Sequence, residues 1–530
     1  MTEQYDILIV GGGNAGVSLA AALRRKRQGR VAIADGQQLH RYRPMLNYAA
    51  GGQADMARFE RPMRAVIPDG VEWIPDHVVA VDAEERTAVT STGLTVGFRH
   101  LVLCPGLTPW WGAIDGLREA YAAGWAASAH VPEHVDAARA LLSRVAAGDR
   151  VVANVPAEPS SCGGTVLKAL FLACAAWERT GILPDVDVRL VTPYGRILDR
   201  QTIDPALAEA VARYGIHVHA GAEVNAVDHE AREVVLNTGE RITDVAAAYI
   251  TPVVRAPEFI AEAGLADDGE AGLAAVDPAT LRHPVHPHVW ALGDAAALGT
   301  RPSGGALRRQ VKILTQNIQA ADAGKPLQKY DGYTVIPVMV SRDELVLDEH
   351  VRDGSEDRSI PGVDLTKPRK STAAFDRFGQ PRIYWHRLLK GKVLAQRSRC
   401  RDPCGGRAFV RGAPPPDPDD GAGPPSVFVR ETAPCRRRRP QSSRPRTGRS
   451  SSVVCTTRPR SQLFAPGTTS GTGMSARLRR WAAVSTPTRS SRARRRASST
   501  WPSPVRPIIS WGMPYGKSSR SYCQVWNVFP

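Results

Sequence analysis

Cys162 stands directly before Gly163-Gly164, at the head of an Ala- and Leu-rich stretch that runs to about Thr180. A helix starting at Gly163 would aim free N–H groups and the positive end of its dipole at the sulfur, and both favour thiolate over thiol. A thiolate can attack an electron-poor ring or a sulfur species, whereas a thiol hardly can. The competing reading is a buried cysteine that packs and never ionises. Cys104 and Cys174 carry weaker cases, lying in the segments CPG and LFLACAAW, where packing is the simpler role. If 163–180 is one helix, the twelve residue steps from Cys162 to Cys174 span about 18 Å at 1.5 Å per residue. That is far beyond disulfide reach.

A second chemical feature lies near the N-terminus. Gly11, Gly12, Gly13, Asn14, Ala15 and Gly16 make a G-x-G-x-x-G turn between the apolar run YDILIV (5–10) and an Ala-rich helix expected over Asn14–Lys26. The first glycine of such a pattern makes the turn, the second admits a pyrophosphate, and the third lets helix and strand pack closely. The helix N-terminus offers N–H groups to phosphates. Asp35 ends the next strand, RVAIAD, where a carboxylate can hold ribose hydroxyls. Two further segments narrow the dinucleotide to FAD. CPGLTP (104–109) closes a strand, with Gly106 placed as in the second flavin motif of flavoproteins that carry two dinucleotide-type domains. WALGD (290–294) resembles the motif of that superfamily whose aspartate, here Asp294, binds the ribityl chain, with Gly293 allowing close approach.

These residues need strands and helices in alternation to position them. HLVLC (100–104) is a further buried-type strand; VVANVP, a helix and VDVRLVT (186–192) begin a second alternation, and HVWALGD returns to the first sheet before a helix over 307–321. The order predicts an α/β protein of two Rossmann-like, three-layer units, the first discontinuous. The expected divisions are 1–115 with 285–330 for FAD, 116–284 for the second unit, 331–394 for a small C-terminal β and amphipathic-helix region, and 395–530 for a disordered basic tail. In the second unit VVANVP is followed by AEPSSCGG, not a glycine fingerprint, and the next strand ends in Thr192 instead of an acid. A second dinucleotide lacks its cradle there, which argues against NADH as donor. Within 375–393 an amphipathic helix is expected after Pro381, either packed on its own domain or lying in a membrane surface.

The 530 residues carry a net charge of +17, but unevenly. Residues 396–530 hold 26 basic and 5 acidic side chains, against 43 and 47 in residues 1–395. The body is thus mildly acidic, and nucleic acid is not an expected partner. The Arg/Ser/Pro-rich tail cannot bury enough apolar surface to offset its ordering entropy. It reads as an out-of-frame translation of a GC-rich gene or as a basic arm. Cys400 and Cys404 are too isolated for a zinc site, and no metal is expected. The acidic N-terminus MTEQYD carries no secretory signal and no apolar run reaches the roughly 20 residues of a membrane span. The expected location is the cytoplasm, with peripheral contact on the cytoplasmic membrane face left open.

The segments RYRPMLNYAAGG, VIPDGVEWIPDHV, PSSCGG, ITPVVRAPEF, HPHVWALGD, KYDGYTVIP and IYWHRLLKG follow one another from about residue 40 to 391. In this order, and with IVGGGNAGVSLAAALRR before them, they resemble the sulfide:quinone oxidoreductases, in particular the group that includes the mitochondrial enzymes. The resemblance implies FAD reduced by sulfide or a related sulfur donor and reoxidised by quinone. It places Tyr42 and Pro44 beside the isoalloxazine, gives Val78 backbone contact to the adenine, and makes Cys162 one of two redox cysteines. It also implies that the C-terminal region faces quinone and membrane. The family's second cysteine would follow Asp294, and here that position is Ala295. The family's Ser-Lys-Thr segment also departs, with Gly304 where its lysine would stand. Three readings follow: Cys162 as the single essential thiol, the same flavoprotein with another donor, or a flavin-binding protein without catalysis.

Overall fold

Ile7–Val10, Val31–Ala34 and Leu101–Leu103 are unbroken apolar runs, and each is buried. Strands covered by helices on both faces need this pattern. In the computed structural model, which describes residues 3–392, they form the centre of the first sheet. Glu3–Val10 lies between Val31–Ala34 and Thr95–Leu103 and runs parallel to both. Glu72–Ile74 adds to one side, and Val289–Ala291 pairs in parallel with the C-terminal half of Thr95–Leu103. The N-terminal half of that long strand carries an antiparallel pair, Thr87–Thr90 and Val78–Asp82.

The parallel strands end at one edge. Gly11 N–H donates to Ala34 O at 2.9 Å, Cys104 N–H to Val10 O at 2.9 Å, and Leu292 N–H to Leu103 O at 3.2 Å. The glycine turn, Asp35, the CPG segment and Gly293 therefore meet at the carboxyl ends of the strands, the binding edge of open α/β sheets.

A second parallel sheet has the order His217–Ala220, Asp187–Thr192, Arg150–Asn154, Val245–Tyr249. The helix Val166–Thr180 follows its Arg150–Asn154 strand and is buried on all sides from Val166 to Ala175. A helix apolar all round belongs in a core, and each large side chain contributes about 1.5–3 kcal/mol by burial. The helix begins three residues later than its sequence suggests. Gly163–Thr165 form a 3-10 turn, and Cys162 caps that turn in the left-handed region (φ 54°, ψ 52°). The α/β class, with a mostly parallel first sheet and a parallel second one, is as expected from the alternation of elements.

Thr334–Met339 and Leu345–His350 form an antiparallel hairpin. Beyond it, Lys370–Ala374, a π-turn Phe375–Gly379 and the helix Gln380–His386 run without a break. The helix expected after Pro381 is present as Gln380–His386 and packs on the chain, but it continues a helical run that starts at Lys370. Tyr384, Leu388 and Leu389 are buried, and the large apolar side chains left outside are Phe375 (48% exposed) and Phe378 (62%). Both exposed rings lie within the π-turn itself, while Ala373 before it and Tyr384 after it are buried. The tail expected over 395–530 lies outside the described residues.

Candidate flavin and thiol site

The glycine turn separates packing from binding. Gly11 has φ +109°, and a Cβ there would lie 2.3 Å from Cys104 O; one on Gly16 would lie 1.9 Å from Gly11 O. Both glycines are demanded by the chain's own backbone. A Cβ on Gly13, by contrast, would meet nothing within 4 Å, so this position faces open space. The helix Asn14–Arg25 starts from Gly13 without a side-chain cap, which leaves its first N–H groups to an anionic ligand. Asn14 accepts from Ser18 Oγ at 3.2 Å, and Ala15 stands 3.3 Å from where a Gly293 Cβ would project.

Asp35 sits at the lip of this turn. Gly12 N–H donates to its Oδ2 at 2.5 Å and Gln37 N–H to its Oδ1 at 2.7 Å, while Trp73 Nε1 donates to its carbonyl at 2.9 Å. Gly106 (φ +78°) also faces open space. An uncapped helix end, an open glycine and a fixed carboxylate fit the pyrophosphate and ribose of FAD. Tyr42 is buried and packs on Tyr384 with ring centroids 4.4 Å apart. Pro44 lies in the turn Arg43–Met45 that leads into the helix Leu46–Ala50. Val78 is buried at the start of its strand, opposite Thr90.

The Cys162 loop reaches this edge from the second sheet. Where a second dinucleotide turn would follow Asn154, its side chain instead binds Thr251, accepting from the N–H at 2.7 Å and donating to the carbonyl at 3.1 Å. The loop continues to Ser161, whose hydroxyl donates to Asp294 Oδ2 at 2.6 Å. Cys162 N–H donates to Pro302 O at 3.1 Å. Gly304, two residues on, lies near Asn14, whose Nδ2 is 3.8 Å from the position of an added Cβ. Asp294, Cys162, the 301–305 segment and the glycine turn are thereby brought to one place.

The thiol itself differs from expectation. Burial pushes Cys162 up to about 12, and the Asp294 carboxylate adds to the rise; the Gly304 N–H and the Lys168 ammonium pull the other way. The expected helix-terminus stabilisation of a thiolate is therefore outweighed by desolvation and a neighbouring negative charge. Cys104 is buried, contacts Gly11 O through its sulfur at 3.6 Å, and is likewise raised by burial. Cys174 is buried in its helix. All three are free thiols, and Ala295 is fully buried.

Around the loop stand several groups that local sequence pattern does not single out. His130 is driven down to about 4 by burial and by Arg43, against hydrogen bonding to the backbone of Ser161 and Cys162. Arg301 pairs with Glu158 at 3.4 Å and lies 4.7 Å from the centre of the Tyr194 ring. Lys168, 1% exposed, forms a 2.8 Å ion pair with Asp376 of the π-turn, and Tyr48 OH donates to the same carboxylate oxygen at 2.8 Å. His40 is buried between Gly12 O (2.9 Å, from Nδ1) and the Tyr384 hydroxyl. Since the carbonyl can only accept, the proton sits on Nδ1, and Tyr384 donates to Nε2.

The pattern of the pyridine nucleotide-disulphide oxidoreductases matches residues 5–323, which include the glycine turn, Cys162 and Asp294. The chain belongs to this family. As a pyridine nucleotide-disulphide oxidoreductase it is an FAD-dependent oxidoreductase, and the open glycine turn with Asp35 fits that cofactor. The mitochondrial sulfide:quinone oxidoreductase of Mus musculus is 27% identical over 396 residues, covering 73% of this chain and 87% of the mouse protein. That of Dictyostelium discoideum is 26% identical, covering 73% and 86%. The crystal structure of the sulfide:quinone oxidoreductase from Aquifex aeolicus superposes with a TM-score of 0.64 at 16% identity, covering 74% of this chain and 92% of that one. The resemblance drawn from sequence segments stands. The cytoplasmic location does not: these curated relatives are named as mitochondrial enzymes. The reason is physical. The residue pattern at an N-terminus does not by itself select a compartment.

Proposed function

We propose that this flavoprotein oxidises sulfide, or a related small sulfur donor, and passes the electrons through FAD to a quinone, with Cys162 as its single essential thiol. The 2.6 Å hydrogen bond from Ser161 to Asp294 carries the reading, because it joins the thiol loop to the segment expected to hold the ribityl chain. We assign cofactor binding to residues 1–115 with 285–330, and the thiol side to 116–284. Within this reading Gly11, Gly12, Gly13, Asn14, Ala15 and Gly16 with Asp35 hold the phosphates and ribose, Tyr42 and Pro44 flank the ring, and Val78, Gly106, Gly293 and Asp294 line the remainder.

FAD supplies a two-electron acceptor between sulfur and quinone. Cys162 supplies the sulfur to which hydrosulfide bonds. Forming that S–S bond between thiol and hydrosulfide would release two protons and one electron pair and leave the persulfide ionised. A bound FAD would accept the pair, and quinone, as final acceptor, would take up two protons to become hydroquinone. The product on the protein is a Cys162 persulfide. With Ala295 in the position of a second cysteine, an external thiol takes the outer sulfur, and Cys162 returns to the thiol.

The exposed Phe375 and Phe378, with Arg377 between them, support peripheral contact of the π-turn with a membrane that holds the quinone. A second reading keeps the FAD and quinone but changes the donor. It is favoured by the raised Cys162 thiol and by Ala295. Anaerobic titration with sulfide, followed by flavin absorbance before and after a soluble quinone, separates the two. Bleaching and recovery that vanish in Cys162→Ser establish the first; a flavin indifferent to sulfide leaves the second.

A further inference from the structure

We infer that Asn47 and Thr165 are positioning residues which hold Cys162 in its left-handed backbone conformation and so set the direction of its sulfur. The inference rests on Cys162 being the reactive thiol. It starts from an unusual backbone: a β-carbon residue at φ 54°, ψ 52° is strained by roughly 1–2 kcal/mol, and such a residue persists only where its surroundings over-determine it.

The surroundings do so from both sides of the Cys162 α-carbon. Cys162 N–H is held by Pro302 O at 3.1 Å. Its carbonyl accepts twice from one residue, from Thr165 N–H at 2.7 Å and from the Thr165 hydroxyl at 2.8 Å. The first of these closes an ordinary turn. The second requires the hydroxyl to point at the carbonyl, and Asn47 enforces that direction, because its Nδ2 donates to Thr165 Oγ at 3.2 Å. A hydroxyl that accepts from Asn47 has its own proton left for Cys162 O.

Asn47 is oriented in turn. Its Oδ1 accepts from Tyr249 OH at 3.4 Å, and that hydroxyl accepts from Ala129 N–H at 3.2 Å. Every side chain in the chain is buried: Asn47 6%, Thr165 7%, Tyr249 0% exposed. A buried polar network that satisfies its members rigidifies the core around it. Here it connects three separate parts of the sequence: the helix Leu46–Ala50 just after Tyr42 and Pro44, the end of the second sheet, and the thiol loop. The ring-flanking segment and the sulfur are therefore registered to each other through Asn47 and Thr165.

The test uses the full-length holoenzyme with Thr165→Val, Thr165→Ser and Asn47→Ala. The first readout is the rate of Cys162 alkylation by iodoacetamide across pH, followed on the Cys162 peptide by mass spectrometry. The second is the limiting rate of flavin bleaching by sulfide, and the third is thermal stability. Thr165→Val and Asn47→Ala are expected to alkylate faster by roughly fivefold, the factor of one ordinary hydrogen bond, because the loop is released. They are also expected to bleach more slowly by a similar factor, with Thr165→Ser restoring both rates. Alkylation of Thr165→Val at the wild-type rate and pH dependence would overturn the assignment. Faster alkylation in the variants, with sulfide bleaching absent from the wild type, would keep the positioning network and reject the sulfide reading alone.

Discussion

Ser161 and Asp294, 133 positions apart in sequence, share a 2.6 Å hydrogen bond between hydroxyl and carboxylate. Asp294 is expected at the ribityl chain and Ser161 precedes the thiol, so in the proposed reaction this bond would set the spacing between Cys162 and the cofactor. Ser161→Ala removes a hydrogen bond to a charged group, worth about 1.5–3 kcal/mol. The expected result is retention of flavin with a limiting rate of sulfide bleaching lowered at least tenfold, measured by anaerobic stopped flow. An unchanged rate would separate the loop from the reaction.

The raised thiol predicts an unusual pH profile. With its titration near 12, Cys162 is almost wholly protonated at neutral pH, and its alkylation rate in the protein without added sulfide should climb about tenfold per pH unit through pH 10. An ordinary exposed cysteine would level off near 8.5. Since the Asp294 carboxylate contributes to the rise, Asp294→Asn should move the profile to lower pH. A plateau below pH 9 in the wild type would contradict the burial argument.

Two glycines of the same turn should fail differently. Gly11→Ala puts a Cβ against Cys104 O at 2.3 Å and demands φ +109° of alanine, which should cost about 2–4 kcal/mol of stability. Gly13→Val projects into open space, so the protein should fold and yet purify without flavin. Circular dichroism melting and the flavin-to-protein absorbance ratio distinguish the outcomes. Equal melting losses for both variants would argue against a ligand over Gly13.

His130 should make the protein sensitive to acid. Its folded-state titration is lowered to about 4 from 6.5, so the unfolded chain binds the proton first as pH falls. Stability from this residue is complete above about pH 6.5 and is lost progressively down to about pH 4. His130→Gln should therefore flatten the decline of the melting temperature between pH 7 and 4.5. The slope in that interval, compared with wild type, is the measurement; an unchanged slope would mean that His130 is solvated.

Lys168 and Asp376 should behave as a buried ion pair. Removing one partner of such a pair typically costs about 3–5 kcal/mol, whereas replacing both by apolar residues is often neutral. Lys168→Met and Asp376→Leu alone are expected to destabilise strongly, and the double variant to recover most of the loss in chemical denaturation. Additive losses would show that the two charges act independently.

The first sheet and its glycine turn were legible in the sequence. Strand burial, the turn at Gly11, the packing at Gly16 and the acid at Asp35 are demands of local backbone geometry and periodicity, and these are written in neighbouring residues. Order along the chain also told which sheet Asp294 returns to, because its strand is a short apolar run ending in glycine. The thiol half was read less well. The expected ionisation of Cys162 came from helix position alone, and the helix begins only at Val166. Whether a sulfur is in water or in a core depends on what folds over it. The same holds for Asn47 with Thr165, Lys168 with Asp376, and His40 with Tyr384, pairs 118, 208 and 344 positions apart. Such contacts have no local period to announce them; their partners meet only once two sheets and a C-terminal segment have packed, and the desolvation that follows decides the chemistry.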